Sequence, residues 1–291
     1  MKKIKILLII FSITIFCLVL FFWNYFPGIY SKLSDNLPKI EKGVTGLIQE
    51  TGKQISTPPP LINQIENPQS YLTRAGVIKW TNSQRVKYGL PPLKESSLLD
   101  ETAKKKVDDM FFNQYFAHES PSGLSVADLA NNTGYQFIAI GENLALGNFK
   151  DDEDLVQAWM DSPGHRENIL NRSYQEIGVS VIQGTFEGKT TWLAVQHFGL
   201  PLSVCPGPDE LIKSKIDGIQ NQIKTIENLL NNLLEELQKT KIKRGTVYSQ
   251  KVEEYNSLAS QYNTLIEQAK LLTNQYNNQV NLFNECVNSL K

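Results

Sequence analysis

Net charge is almost missing from this chain: 29 Lys and Arg stand against 30 Asp and Glu, a balance of −1. A surface without excess positive charge carries no electrostatic footprint for nucleic acid, and no DNA- or RNA-binding signature appears. Nucleophile and phosphate motifs are missing too. There is no G-x-S-x-G elbow and no glycine-rich phosphate loop. Histidine and cysteine are scarce, at three each. Cys17 lies inside an apolar run, which leaves Cys205 and Cys286 as one pair, a disulfide candidate in an exported protein. What is present fits a folded chain: 41% hydrophobic and 10% aromatic residues over a length suited to about two domains.

The N-terminus sets the compartment. Lys2, Lys3 and Lys5 precede Ile6 to Trp23, an uncharged run of 18 residues in which only Ser12 and Thr14 are polar. With Tyr25 and Phe26 it reaches the roughly 20 residues that a helix needs to cross a bilayer core. A cleaved signal peptide would have a shorter apolar region and a small-x-small site, which Trp23–Pro27 does not offer. No small residue stands just before Cys17, which argues against a lipoprotein signal. Residues 1–27 are therefore expected to be a transmembrane anchor. The lysines keep its N-terminus in the cytoplasm and put the bulk of the chain outside, at the cell surface.

Residues 28–70 read as a linker or stalk. Leu33, Leu37, Ile40, Val44 and Leu47 fall at helical spacing, but Pro38, Gly43 and Gly46 interrupt them. Pro58-Pro59-Pro60, with Asn67-Pro68 beyond, makes a stiff extended connection. Residues 71–200 form a globular stretch. Pro201, Pro206 and Pro208 mark a second boundary over 201–208.

From 209 to 291 a heptad pattern takes over. Ile212, Ile216, Ile219, Ile223, Ile226, Leu230, Leu233 and Leu237 repeat in 4-3 steps, the seam of a coiled coil. A second series of the same spacing runs from Tyr248 through Tyr255, Tyr262, Ala269, Tyr276 and Val280 to Val287. The polar turn Lys243-Arg244-Gly245-Thr246 separates them. Folded back antiparallel, Ile212 faces Val280, Ile223 faces Ala269, Leu230 faces Tyr262 and Leu237 faces Tyr255. That register carries Cys205 to Cys286 at the open end, so an antiparallel helical hairpin closed by a Cys205–Cys286 disulfide is expected. Separate helices in an oligomer, or a disulfide between chains, are the alternatives. The hairpin would serve as a rigid spacer or as an element of self-association.

In the central stretch, residues 77–88 and 98–115 show helical periodicity, the second with Leu99, Ala103, Val107 and Met110 as its core stripe. Residues 137–140, 176–183 and 190–198 read as strands, the last two flanking a hairpin turn at Gly184–Gly188. The mixture suggests an α/β domain with a helix-covered sheet.

Three blocks then carry a resemblance. Phe116-Ala117-His118-Glu119-Ser120-Pro121-Ser122-Gly123, Gly141-Glu142-Asn143-Leu144-Ala145 and Trp159-Met160-Asp161-Ser162-Pro163-Gly164-His165-Arg166-Glu167-Asn168-Ile169-Leu170 resemble the F-x-H-x-S-P-x-G, GEN[IL]A and W-M-x-S-P-G-H-R-x-N-I-L segments of bacterial SCP-like proteins. Asn82, Arg85, Leu90–Leu93, Ile177–Val179 and Gln196-His197-Phe198-Gly199 follow the same pattern in order. The central stretch is thus identified as resembling the CAP superfamily, over about 130 of the 291 residues. The resemblance implies an α-β-α sandwich with a central groove.

In that family two His and two acidic residues converge in the groove. His118, Glu142 and His165 match three of these positions. Asp161 or Ser162 stands near the fourth, which is acidic in eukaryotic members. Leu129 stands where bacterial relatives usually have Arg. As chemistry, two imidazoles and a carboxylate could hold a divalent metal such as zinc through His118 and His165, work as acid and base, or form a structural cluster. Asn143 and Asn168 read as loop-fixing amides, Ser120 as part of a turn, and His197 as core or rim. Two functions follow. The chain is a membrane-anchored extracytoplasmic module that binds an envelope component, lipid or small ligand, or it is a cell-envelope hydrolase with catalytic candidates His118, Glu142 and His165.

Overall fold

The structure, a computed structural model, describes residues 37, 39, 53–241 and 244–290. The expected transmembrane anchor over Ile6–Trp23 lies outside them, as does Cys17. Among the described residues no helix is long and apolar enough to cross a membrane. The described chain divides into two units: residues 53–207 with 283–290, and residues 37, 39, 208–241 and 244–282.

The first unit is a mixed sheet with helices packed on it. In chain order it holds β1 (Gln54–Ser56), β2 (Leu61–Ile62), α1 (Arg74–Lys87), β3 (Lys94–Glu95), α2 (Ser97–Asn113), α3 (Val126–Asn132), β4 (Phe137–Leu146), α4 (Asp152–Asp161), α5 (Pro163–Ile169), β5 (Glu176–Phe186) and β6 (Lys189–Pro201). The sheet order is β1-β4-β6-β5-β3, with β2 also on β4. β4 and β5 run antiparallel to β6 between them. Local chemistry starts the helices. The Thr73 hydroxyl accepts from Gly76 N, Asp151 caps α4, and Ser125 with Asp128 forms a capping box on α3. The β5–β6 hairpin is longer than the periodicity suggests. Its strands run on to Phe186 and Lys189, and Glu187-Gly188, both at positive φ, make a two-residue turn.

Alternation along the strands builds two faces. On β6, Ala194, Phe198 and Leu200 join Val77 and Ile78 of α1, Leu155, Val156 and Trp159 of α4, and Ile169 of α5. Leu193 and Val195 join Ala103, Val107 and Met110 of α2 on the other face. Arg85, fully buried, ties the first face together: its guanidinium donates to the carbonyls of Pro91, Ile169 and Asn171 at 2.8–3.0 Å, and to Tyr174 O at 3.4 Å. Burial draws its pKa down from the ordinary value, and the four carbonyls compensate the lost water.

Two parts of this unit differ from the linear reading. The Pro-rich stretch within 28–70 does not run free: β1 pairs in parallel with Ala139–Gly141 and β2 with Ala145–Leu146. The open edge of β4 supplies unpaired backbone groups there, and a sheet edge takes up an extended segment within reach. At the other end, Phe283 and Val287 of the expected hairpin pack into the same cluster as Cys205. The Cys205–Cys286 bond itself is as expected, within the chain.

In the second unit, α6 (Glu210–Lys239) and α7 (Thr246–Ser289, whose last residues belong to the first unit) run antiparallel. Three contacts fix their direction. Asp209 N donates to Gln279 Oε1, Tyr262 Oη donates to Glu227 at 2.7 Å, and Lys251 pairs with Glu236 at 2.6 Å. Ile223, Leu230 and Leu237 are buried in one cluster with Tyr255, Ala259, Tyr262, Ile266 and Ala269, and Ile216 is buried as well.

Candidate functional site

The site grows from the β4–β6 register, which sets Glu142 opposite His197. Directly opposed residues of an antiparallel pair share a face, so their side chains meet. Glu142 Oε2 lies 2.8 Å from His197 Nε2, and its other oxygen lies 2.6 Å from His118 Nδ1. His118 follows α2 in the Phe116–Gly123 turn. Its own carbonyl accepts from Lys106 Nζ at 2.6 Å, and the same ammonium reaches Tyr115 Oη at 3.2 Å. Lys106, Glu142 and His197 are fully buried.

The electrostatics follow from this arrangement. Burial alone would raise the Glu142 pKa. Hydrogen bonds from His118 and His197, with the nearby charges of His197 and Lys106, outweigh it and hold the carboxyl at about 2. Burial draws the Lys106 ammonium down, and Glu142, Asp109 and Glu119 oppose that. Glu142 is therefore a carboxylate that accepts on both oxygens. The second nitrogen of His118, Nε2, faces the backbone carbonyl of Pro58. A carbonyl and a carboxylate both only accept, so both ring nitrogens of His118 face acceptors.

His165 is placed differently. It sits in α5, one residue after Gly164, and is 1% exposed. Its Nδ1 lies 2.8 Å from Ser162 Oγ, while Nε2 is buried without a hydrogen-bond partner. Burial first, and the charge on His118 second, lower its pKa to about 4, so it is neutral at ordinary pH. Ser162 thus holds His165 through its hydroxyl. A hydroxyl orients the ring without stabilising its charged form.

The next residue along β4 points to the opposite face. Asn143 Nδ2 donates to His165 O and Gln196 Oε1, each at 3.2 Å, and Asn143 Oδ1 accepts from Asn168 at 3.0 Å. Gln196 in turn donates to Thr81 Oγ1 at 2.7 Å. These amides tie β4 and β6 to α5 and α1, and none of the bonds goes to a loop. Ser120 bonds Ser122 Oγ and Leu124 N within its turn.

The sequence-derived set is therefore only partly one cluster. Glu142 bonds His118 and His197, whereas the His165 ring bonds Ser162 and neither of them. His197 had read as core or rim, and its signal was its register opposite Glu142. Lys106 lies three residues after Ala103 on the buried stripe of α2, and nothing in its residue type marks it as part of the site.

A zinc ion needs about three converging side-chain donors with free lone pairs. His118 spends Nδ1 on Glu142 and Nε2 on Pro58 O, and Glu142 has both oxygens engaged. Among the described residues no group of three His, Cys, Asp or Glu is disposed to hold a metal. The donor set expected of His118 and His165 does not fit a zinc ion in this arrangement, because of their four ring nitrogens only His165 Nε2 is left without a partner.

Comparison with known proteins agrees with the motifs. Residues 79–198 match the Cysteine-rich secretory protein family, CAP. The uncharacterized protein YkwD of Bacillus subtilis is 41% identical over 107 residues, which cover 37% of this chain and 41% of that protein. The uncharacterized membrane protein YlbC of the same organism is 36% identical over 105 residues, 36% of this chain and 30% of that one. The match thus spans less than half of either relative. An extracellular SCP-domain protein of Bacillus anthracis is 29% identical with a TM-score of 0.38, over 47% of this chain and 41% of its own. With motifs and family match in agreement, residues 79–198 of this chain are a CAP domain.

Proposed function

We propose that this chain is a membrane-tethered, extracytoplasmic binding module whose ligand enters the CAP groove at His118, Glu142 and His165. The observation that carries the reading is His165 Nε2, a buried ring nitrogen with no hydrogen-bond partner. A buried polar atom left unpaired costs about 1–3 kcal/mol, a cost that a bound hydroxyl or amide would remove. The ligand class is an envelope component, a lipid or a small polar molecule. The layers read as an α-β-α sandwich, and α6 with α7 as an antiparallel coiled coil that spaces the module or pairs it with a second copy. The Lys2–Lys5 cluster and the Ile6–Trp23 run support an anchor.

The test has two arms. Full chain should stay with membranes after high-salt washing, and recovery of a soluble form beginning near Pro27 would overturn the anchor. Purified chain should bind at least one of a panel of cell-wall fragments and lipid vesicles, with His165→Ala weakening binding about tenfold. No binding by the parent, or equal binding by the variant, would overturn the groove. The hydrolase alternative has one contact in its favour, Ser162 Oγ on His165 Nδ1. Its other ring nitrogen lacks the orienting third group that activates such pairs, which favours binding over catalysis.

A further inference from the structure

The residues on the open edge of β4 are arranged as a bound peptide would be. Gln54–Ser56 and Leu61–Ile62 each add a short parallel strand, and Asn63 N donates to Leu146 O at 2.9 Å. Between the two strands the chain leaves the ladder at Thr57-Pro58-Pro59-Pro60, where three prolines have no N–H to contribute. Across 53–63 every residue is exposed or half-buried except Pro58. The Pro58 ring lies against Gly164, where an added Cβ would come within 2.7 Å of it. Its carbonyl accepts from His118 Nε2, and Ser56 O accepts from Asn168 at 3.3 Å.

So one residue of the candidate groove, His118, holds this strap, together with its neighbours Gly164, Asn168 and the β4 backbone. Main-chain pairing supplies affinity, and one pocket that takes one side chain supplies selectivity, which is how sheet-edge peptide sites work. The strap lies outside residues 79–198, so the CAP domain provides the cleft and this chain adds the occupant. Ladders of three and two residue pairs make a contact that can open without unfolding the sheet.

We infer that the cleft along β4 recognises an extended, proline-bearing peptide of another protein, and that residues 54–62 occupy it in cis until they are displaced. This rests on the reading of the groove as a binding site and names its partner class.

The experiment uses the full chain and a labelled synthetic peptide of residues 53–63. Pro58→Glu puts a charge where the buried ring lies and should lift the cis strap. The peptide should bind the Pro58→Glu chain at least tenfold more tightly than the parent, whose cleft is filled. Adding His118→Ala to that chain should weaken binding about tenfold, and a peptide carrying Pro58→Glu should not bind. Gly164→Ala offers a second route: its methyl group crowds Pro58 and should speed proteolysis within 53–63 while blocking the added peptide. No binding to the Pro58→Glu chain, equal binding of both peptides, or a Pro58→Glu chain that cannot fold would overturn the inference. A parent that dimerises by exchanging straps would assign the cleft to a second copy and overturn it too. If wall fragments or lipids still bind through His165 while the peptide does not, only this inference fails. If neither binds, the groove reading fails with it.

Discussion

Glu142 and His197 face each other across the β4–β6 pair, Oε2 to Nε2, at 2.8 Å, both fully buried. This contact, more than the His118 contact, keeps a carboxylate inside the domain, because the His118 side chain is 17% exposed and water can replace it. Removing one partner of a buried charge costs about 3–5 kcal/mol. His197→Phe should lose stability in that range by urea unfolding, and His118→Ala clearly less. His197→Gln, which can still donate to Glu142, should recover part of the loss. Equal costs for His197→Phe and His118→Ala would contradict this ranking.

Acid should weaken the domain in two stages. His165 is held at about 4 against an ordinary 6.5, so its neutral form stabilises the fold above 6.5 and that contribution fades as pH falls toward 4. Glu142 is held at about 2 against 4.5, so its contribution is complete above 4.5 and fades as pH falls toward 2. One proton taken up on unfolding corresponds to about 1.4 kcal/mol per pH unit. A melting series from pH 7 to 2 should fall through both windows. His165→Gln, which cannot titrate, should flatten the upper one only. A variant curve parallel to the parent's would refute the assignment.

Arg85→Lys should behave as a loss, not a conservative exchange. The guanidinium reaches four carbonyls in three directions, and an ammonium on a single stem cannot span Pro91, Ile169, Asn171 and Tyr174. The expected cost is about 3 kcal/mol, from carbonyls left dry and unpaired. A thermal shift below about 2 °C would show that water or Lys restores the network.

Non-reducing peptide mapping should find Cys205 joined to Cys286 of the same chain. The bond spans 81 residues, and replacing both by Ser should cost roughly 4 kcal/mol in the chain-entropy view. Because Cys205 shares its cluster with Trp159, Phe283 and Val287, the unit carrying the CAP domain should melt earlier. A melting point unchanged in that unit would place the disulfide outside its cooperative fold.

The helices and their buried faces were legible because each is a local, periodic property of the chain. The 4-3 repeat named Ile216, Ile223, Leu230 and Leu237 as buried, and the stripe Leu99, Ala103, Val107 and Met110 named the core face of α2. The antiparallel series carried the Cys205–Cys286 pairing as well. The three motif blocks marked His118, Glu142 and His165 from the resemblance alone.

Which groups meet inside the domain was a different matter, settled by contacts between segments far apart in the chain. Periodicity cannot say that His197 is the second partner of Glu142, since that depends on strand register across 55 residues. Nor does it say that Lys106 is buried under His118, or that Ser162 holds His165. A run of prolines reads as a free linker until a sheet edge lies beside it. Local spacing determined the elements of this protein; tertiary structure decided the partners, because burial leaves each polar atom only the donors and acceptors that the fold brings within about 3 Å.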